Sequence, residues 1–186
     1  MKLARAHLKL HASLRRFARD RGGVAAVEFA TVLPFMLMLY IGGVELGDGM
    51  AIQFKTTLAA RTVANLASQY ISINNATMTS ILGAASSVVA PYSGAGMIVT
   101  VSEVTTDNNG NATVTWSNSL NGTARTVGSV VTLPASLQTP NISLLWGEVT
   151  YPYTPQLGYV ITGSINIYES VFFYPRLSNS VARVNS

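Results

Sequence analysis

The stretch Arg21-Gly-Gly-Val-Ala-Ala-Val-Glu28-Phe29 sets one carboxylate inside a run of apolar side chains. Ionised at the centre of a bilayer, such a group costs about 2.5 to 3.5 kcal/mol on insertion scales, and less near the interface. Two arrangements offset that cost. If the chain is cut after Gly23, Val24 gains a positive α-amine and Glu28 becomes the fifth residue of the new chain. In a helical assembly the carboxylate of one copy then pairs with the amine of the next, opposite charges at close range in low dielectric. If the chain is left uncut, Glu28 snorkels toward the headgroups of a plain membrane anchor. The Gly22-Gly23 doublet offers a second cut, but it would put Glu28 at position six.

The remaining candidates for chemistry are sparse. The chain has no cysteine, so disulfides, thiolate ligands and thiol nucleophiles are all excluded. Both histidines, His7 and His11, precede Gly23, so a cut chain holds no imidazole for a triad or a metal. Glu148 and Glu169 are the pair a glycosidase would need, with a separation that sequence cannot give. Catalysis, a cofactor, a metal and a small-molecule substrate are therefore not expected. Asp107-Asn-Asn-Gly-Asn111 has alternating oxygen ligands, but its glycine and its twelfth residue, Asn118, do not match a calcium loop, and a hairpin turn is expected. Four N-x-[ST] sequons begin at Asn75, Asn111, Asn121 and Asn141, and they matter only in a eukaryotic secretory pathway.

The charge that makes the chain basic is confined to one end. Of the formal +4, the first 21 residues carry seven Lys and Arg against Asp20, a balance of +6. From Val24 onward five basic residues face seven acids, a balance of −2. No basic stripe is left to follow phosphates, so nucleic acid is not an expected partner. Leu3, Leu10, Leu14 and Phe17 fall on one helical face of this leader, as in a membrane-surface helix, although a solvated basic tail fits equally. Val24 to Val44 follows with Glu28 as its one charge; at 1.5 Å per residue it spans about 31 Å, enough to cross a bilayer. The basic flank puts the N-terminus in the cytoplasm and the rest of the chain outside. Pro34, which has no amide hydrogen, is expected to bend the helix. A secretory signal peptide fits poorly, because the apolar run is long and no small-x-small cleavage site follows it.

Four regions result: a leader over 1–23, a transmembrane helix over 24–44, an extramembrane extension of that helix over 45–70, and an extracytoplasmic domain over 71–186. The extension is read from Ile52, Ala59, Val63, Leu66 and Tyr70. Gly42, Gly43, Gly47 and Gly49 at the junction allow either flexibility or close helix packing, Gly43 and Gly47 having the small-xxx-small spacing. A second helix is predicted over 75–90, capped by Asn74 or Asn75 and stopped before Pro91. Strands are predicted over 97–105, 111–116, 142–153 and 165–173 from their β-branched and aromatic content. The fold class is α+β with a small, mainly antiparallel sheet.

Together, the basic leader, Gly23, Glu28 and the apolar helix resemble the class III signal of type IV prepilins. More narrowly, Gly22-Gly-Val-Ala-Ala-Val-Glu-Phe-Ala-Thr-Val-Leu-Pro34 resembles the TadE/TadG-like family of the bacterial tight-adherence (Tad, or Flp) pilus system. Glu148-Val-Thr-Tyr-Pro-Tyr-Thr-Pro155 and Phe172-Phe-Tyr-Pro-Arg176 resemble that family's strand motifs. The resemblance implies a substrate of a prepilin peptidase cut between Gly23 and Val24, with Glu28 and Phe29 in subunit recognition and assembly and Pro34 as the helix kink. It also implies a minor pilin or pseudopilin of the inner membrane, with prepilin peptidase, other Tad components and pilins, and membrane lipid as partners, serving pilus biogenesis, adhesion and biofilm formation. The outer domain is large and Glu28 is followed by Phe29, which departs from the small major pilin with its Glu-Tyr. The alternative is an unprocessed single-span anchor displaying a periplasmic binding or adhesin-like domain. Tyr151, Tyr153, Tyr159, Tyr168 and Tyr174 would be its recognition surface, unless they are core and rim packing.

Overall fold

An unbroken apolar stretch leading into an alanine-rich one has no residue strong enough to stop a helix except Pro34, and the chain forms one helix through it. The computed structural model describes residues 22–155 and 163–184; the leader through Arg21 and Tyr159 lie outside the described residues. Helix α1 runs Gly22–Ser68 with Pro34 inside it. Next come β1 (Ser72–Ile73), α2 (Asn75–Val88), β2 (Ile98–Thr106), β3 (Ala112–Leu120) and β4 (Val130–Val131). A 3-10 turn (Ala135–Leu137), β5 (Ser143–Tyr153), β6 (Ile165–Phe173) and β7 (Ala182–Arg183) complete the α+β fold. The chain divides into two compact units at Val44 and Glu45.

The first unit is the opening part of α1. Its apolar side chains are exposed all round, among them Val24, Phe29, Phe35, Leu39 and Tyr40. One helix among the described residues, starting at Gly23, is long and apolar enough to cross a membrane, with a mean hydropathy of 2.0 in its best window.

The second unit is built on a five-stranded sheet, in the order β4-β3-β2-β5-β6, with every neighbouring pair antiparallel. Alternation along the strands makes two faces. On one face Val99, Val101, Leu145, Val149 and Tyr151 meet Ala59, Ala60, Val63 and Ala67 of α1 and Met78, Ile81 and Ala85 of α2 in the main core. On the other, Val104, Leu144 and Trp146 are covered by Val131 of β4 and by Leu133 and Leu137 from the β4–β5 connection. The helix approaches closest at Gly147, where a Cβ would stand 2.7 Å from the Ala60 carbonyl oxygen and 2.9 Å from the Ala64 Cβ. Only glycine under an alanine stripe permits that contact.

Strand β3 runs four residues beyond its predicted end. Ser117 and Ser119 sit opposite Ser102 and Thr100, and their hydroxyls bond across the strands at 2.9 Å each. These cross-strand pairs hold together a segment whose polar composition reads as loop. Asn74 caps α2, its Oδ1 accepting from the Thr77 amide at 2.8 Å. Of the residues predicted to mark the inner face of α1, Ile52, Ala59 and Val63 are buried and Leu66 is partly so. Tyr70 lies past the helix end and is 40% exposed. The sheet-facing stripe continues instead through Ala60, Ala64 and Ala67.

A second, two-stranded parallel sheet joins β1 to β7, so the chain returns at residue 182 to the segment that follows α1. Val181 anchors this return. Its carbonyl accepts from Trp116 Nε1 at 2.7 Å, and its amide donates to Glu103 Oε1 at 2.7 Å. Arg183 bonds Asn118, the Ile73 carbonyl and Asn75, tying three elements together.

Candidate functional site

The predicted site residues lie along the first turns of α1 in the first unit. Gly23 has open space around its Cα. Val24 and Phe29 are 58% and 62% exposed, and Glu28 is exposed as well. Val24 and Glu28 are four apart and so share a helix face. Pro34 withholds the amide that the Ala30 carbonyl would receive in a regular helix. One turn earlier, Thr31 Oγ1 donates to the Val27 carbonyl at 2.9 Å. Among the described residues of this segment, Glu28 is the one carboxylate, and it stands on an exposed apolar helix surface.

In the second unit α1 continues to show apolar side chains on its outer side. Leu46, Met50, Phe54 and Leu58 recur every four residues and are 40% to 67% exposed. An i, i+4 stripe of that width is a helix-packing surface. The sequence carried the signal in plain spacing, but attention to the Ile52 stripe masks it, because both faces of this helix are apolar.

The glutamates considered as a catalytic pair do not meet. Glu148 on β5 and Glu169 on β6 stand one register step apart, Glu148 opposite Ser170 and Glu169 opposite Val149, so they project to opposite faces of the sheet. Glu169 Oε1 accepts from Gln53 Nε2 of α1 at 3.5 Å. Glu148 is bound on the other face, accepting from Arg125 Nε at 2.8 Å, Arg125 Nη2 at 2.7 Å and Tyr168 Oη at 2.7 Å. The Arg125 guanidinium lies 3.8 Å above the Trp146 ring, and Trp146 stacks on Phe172 at 5.1 Å. Its bond to the Glu148 carboxylate raises the Arg125 pKa above the ordinary value, against the opposing effect of burial. This cluster pins the β3–β4 loop to the sheet. Sequence reading passed over it because its members are separated by loop and strand, and no local motif joins them.

The tyrosines proposed as a recognition surface are likewise split. Tyr151 and Tyr153 are buried on the helix side, whereas Tyr168 and Tyr174 are 53% and 52% exposed. The Asp107 loop is a hairpin turn. Its carboxylate accepts from the Asn109 and Asn111 amides, each at 2.8 Å, and from Asn111 Nδ2 at 2.9 Å, filling with protein donors the positions a cation would need.

Compared with known families, residues 23–65 match the TadE family, described as TadE-like protein. The match begins at Gly23 and ends within α1. No curated protein and no solved structure matches the chain.

Proposed function

Since residues 23–65 form a TadE-like segment, which implicates the chain in Tad pilus assembly, we propose that it acts as a minor pilin or pseudopilin without catalysis of its own. In this reading a prepilin peptidase cuts after Gly23, and the mature chain, starting at Val24, sits in the inner membrane through α1 with its second unit in the periplasm. The observation that supports the reading is that the matched segment is itself the exposed apolar helix α1, with Glu28 near its start and the Leu46, Met50, Phe54 and Leu58 stripe farther along it. An anchor alone needs apolar length; it does not need an apolar stripe on the part of the helix that belongs to the outer unit. Such a stripe loses water-exposed area only when another helix lies on it, and burying each of these side chains stabilises the contact by about 1.5 to 3 kcal/mol. Other Tad pilus components carrying a comparable apolar helix are the partners this surface suits. Glu28 would contribute by pairing with the Val24 amine of a neighbouring copy or pilin.

The test is the N-terminal sequence of the membrane form from cells with an active prepilin peptidase. A chain beginning at Val24 is expected; a chain beginning at Met1 refutes the processing claim.

A further inference from the structure

Where β5 ends beside α1, the second unit holds a cavity of about 370 Å3 lined by Asp48, Tyr92, Tyr151, Tyr153, Pro91 and Pro152. Its construction starts with a glycine. A Cβ on Gly49 would touch Tyr153 Cε1 at 3.6 Å, so the ring lies against the helix surface and its hydroxyl donates to the Glu45 carbonyl at 3.2 Å. Tyr151 and Tyr153 are 8% and 5% exposed, while Tyr92 and Asp48 stand half-buried at the opening. Among the described residues, no lysine or arginine lines the cavity. Its charge among the described residues comes from Asp48, and its walls combine phenol and proline rings with Ile52, Ser93 and Thr154. Burial, and then the charges of Asp48 and Glu45, push the Tyr153 phenol up. Burial and nearby Tyr92 do the same for Tyr151. The negative field of Asp48 disfavours an anion and favours a cation.

The chemistry narrows the cation. Aromatic faces with one carboxylate attract ammonium groups, whose methyl or methylene hydrogens spread the charge over the rings. A hard metal ion would ask for several oxygens, and among the described residues Asp48 is the one carboxylate lining the space. The volume lies within the range of small-ligand sites. We propose that this pocket binds an alkylammonium group, with Asp48 as counter-ion and Tyr92, Tyr151 and Tyr153 as its aromatic walls. Two sources present that chemistry: a soluble amine, or the headgroup of a zwitterionic lipid. The second source rests on the single-span reading, since Asp48 follows Val44 by four residues.

The experiment uses the full chain in maltoside micelles, titrated with tetramethylammonium chloride and followed by saturation-transfer NMR, with sodium chloride at equal ionic strength as control. Saturable transfer is expected, weakened at least tenfold in both Asp48→Asn and Tyr92→Leu, with thermal unfolding confirming that each variant is folded. Absence of saturable transfer in the native chain, or unchanged affinity in a folded variant, overturns the proposal. Displacement by ethanolamine assigns a soluble amine. Displacement by phosphatidylethanolamine in nanodiscs, without displacement by ethanolamine, assigns the lipid. Failure of the chain to span a membrane would remove the lipid source and leave the micelle titration decisive for the pocket.

Discussion

Ala64 leaves no room for a side chain at Gly147: the space where a Cβ would stand is 2.9 Å from the alanine Cβ and 2.7 Å from the Ala60 carbonyl oxygen. Backbone cannot yield as a flexible side chain can. Gly147→Ala is expected to destabilise the second unit by about 1 to 3 kcal/mol through overpacking, and Gly147→Val by more. Denaturant unfolding in detergent checks this, and an unchanged midpoint for the valine variant would contradict the packing described.

The Arg125–Glu148 pair predicts an asymmetry. Arg125→Ala leaves a nearly buried carboxylate with Tyr168 as its remaining partner, and also uncovers Trp146. Glu148→Gln keeps the shape and removes the charge. The alanine variant should lose about 1 to 2 kcal/mol, below the value for a fully buried pair because a third of the Arg125 side chain is exposed. The glutamine variant should lose less. No loss in the glutamine variant beside a full loss in the alanine variant would show that the pair acts by packing alone.

Asp107 gives a dependence on pH. Hydrogen bonds from Asn111 and then from Asn109 and Gly110 hold its pKa below 3.8, against the opposing effect of desolvation. A carboxylate with a depressed folded pKa stabilises the turn fully above the unfolded value and loses that contribution as pH falls through the folded one. Between pH 7 and 4 the turn should therefore be unaffected, and below 3.8 it should loosen. Amide shifts of Asn109 and Asn111 report the transition, and Asp107→Asn should abolish its pH dependence.

For the assembly reading, Glu28→Ala should insert normally but impair processing or incorporation. Phe54→Ser should be processed normally yet incorporate poorly, because the stripe is remote in sequence from the cut. Immunoblots of membrane and sheared-pilus fractions separate the two defects. Normal pilus incorporation of both variants would count against the helix as the assembly surface.

Much of this architecture was legible because local chemistry and global position agree. The strands over 143–153 and 165–173 are long and β-branched or aromatic, and Asn74 is a strong cap, so each could be read alone. The end of β3 could not. Ser117, Asn118 and Ser119 have loop composition, and only the facing Thr100 and Ser102 make them a strand. The two-residue strands β1 and β7 were beyond pattern reasoning for the same reason, since neither has a periodicity to detect. At the site, Gly23 and Glu28 stood out because a charge in apolar surroundings is conspicuous. Asp48, Tyr92 and Tyr153 did not, because the chain assembles their pocket from three separate segments.

The parallel pairing of Ser72–Ile73 with Ala182–Arg183 also orders events in time. During synthesis α1 and α2 emerge long before residue 181, yet Trp116 Nε1 waits for the Val181 carbonyl as its acceptor, and Glu103, already bonded by Ser143, gains its second donor only then. The second unit can therefore close only once residue 183 has been made, well after both of its helices. A chain that ends short of residue 181 would leave Trp116 Nε1 without its acceptor and one edge of the second unit open, so truncated copies should be more sensitive to proteolysis than the full second unit.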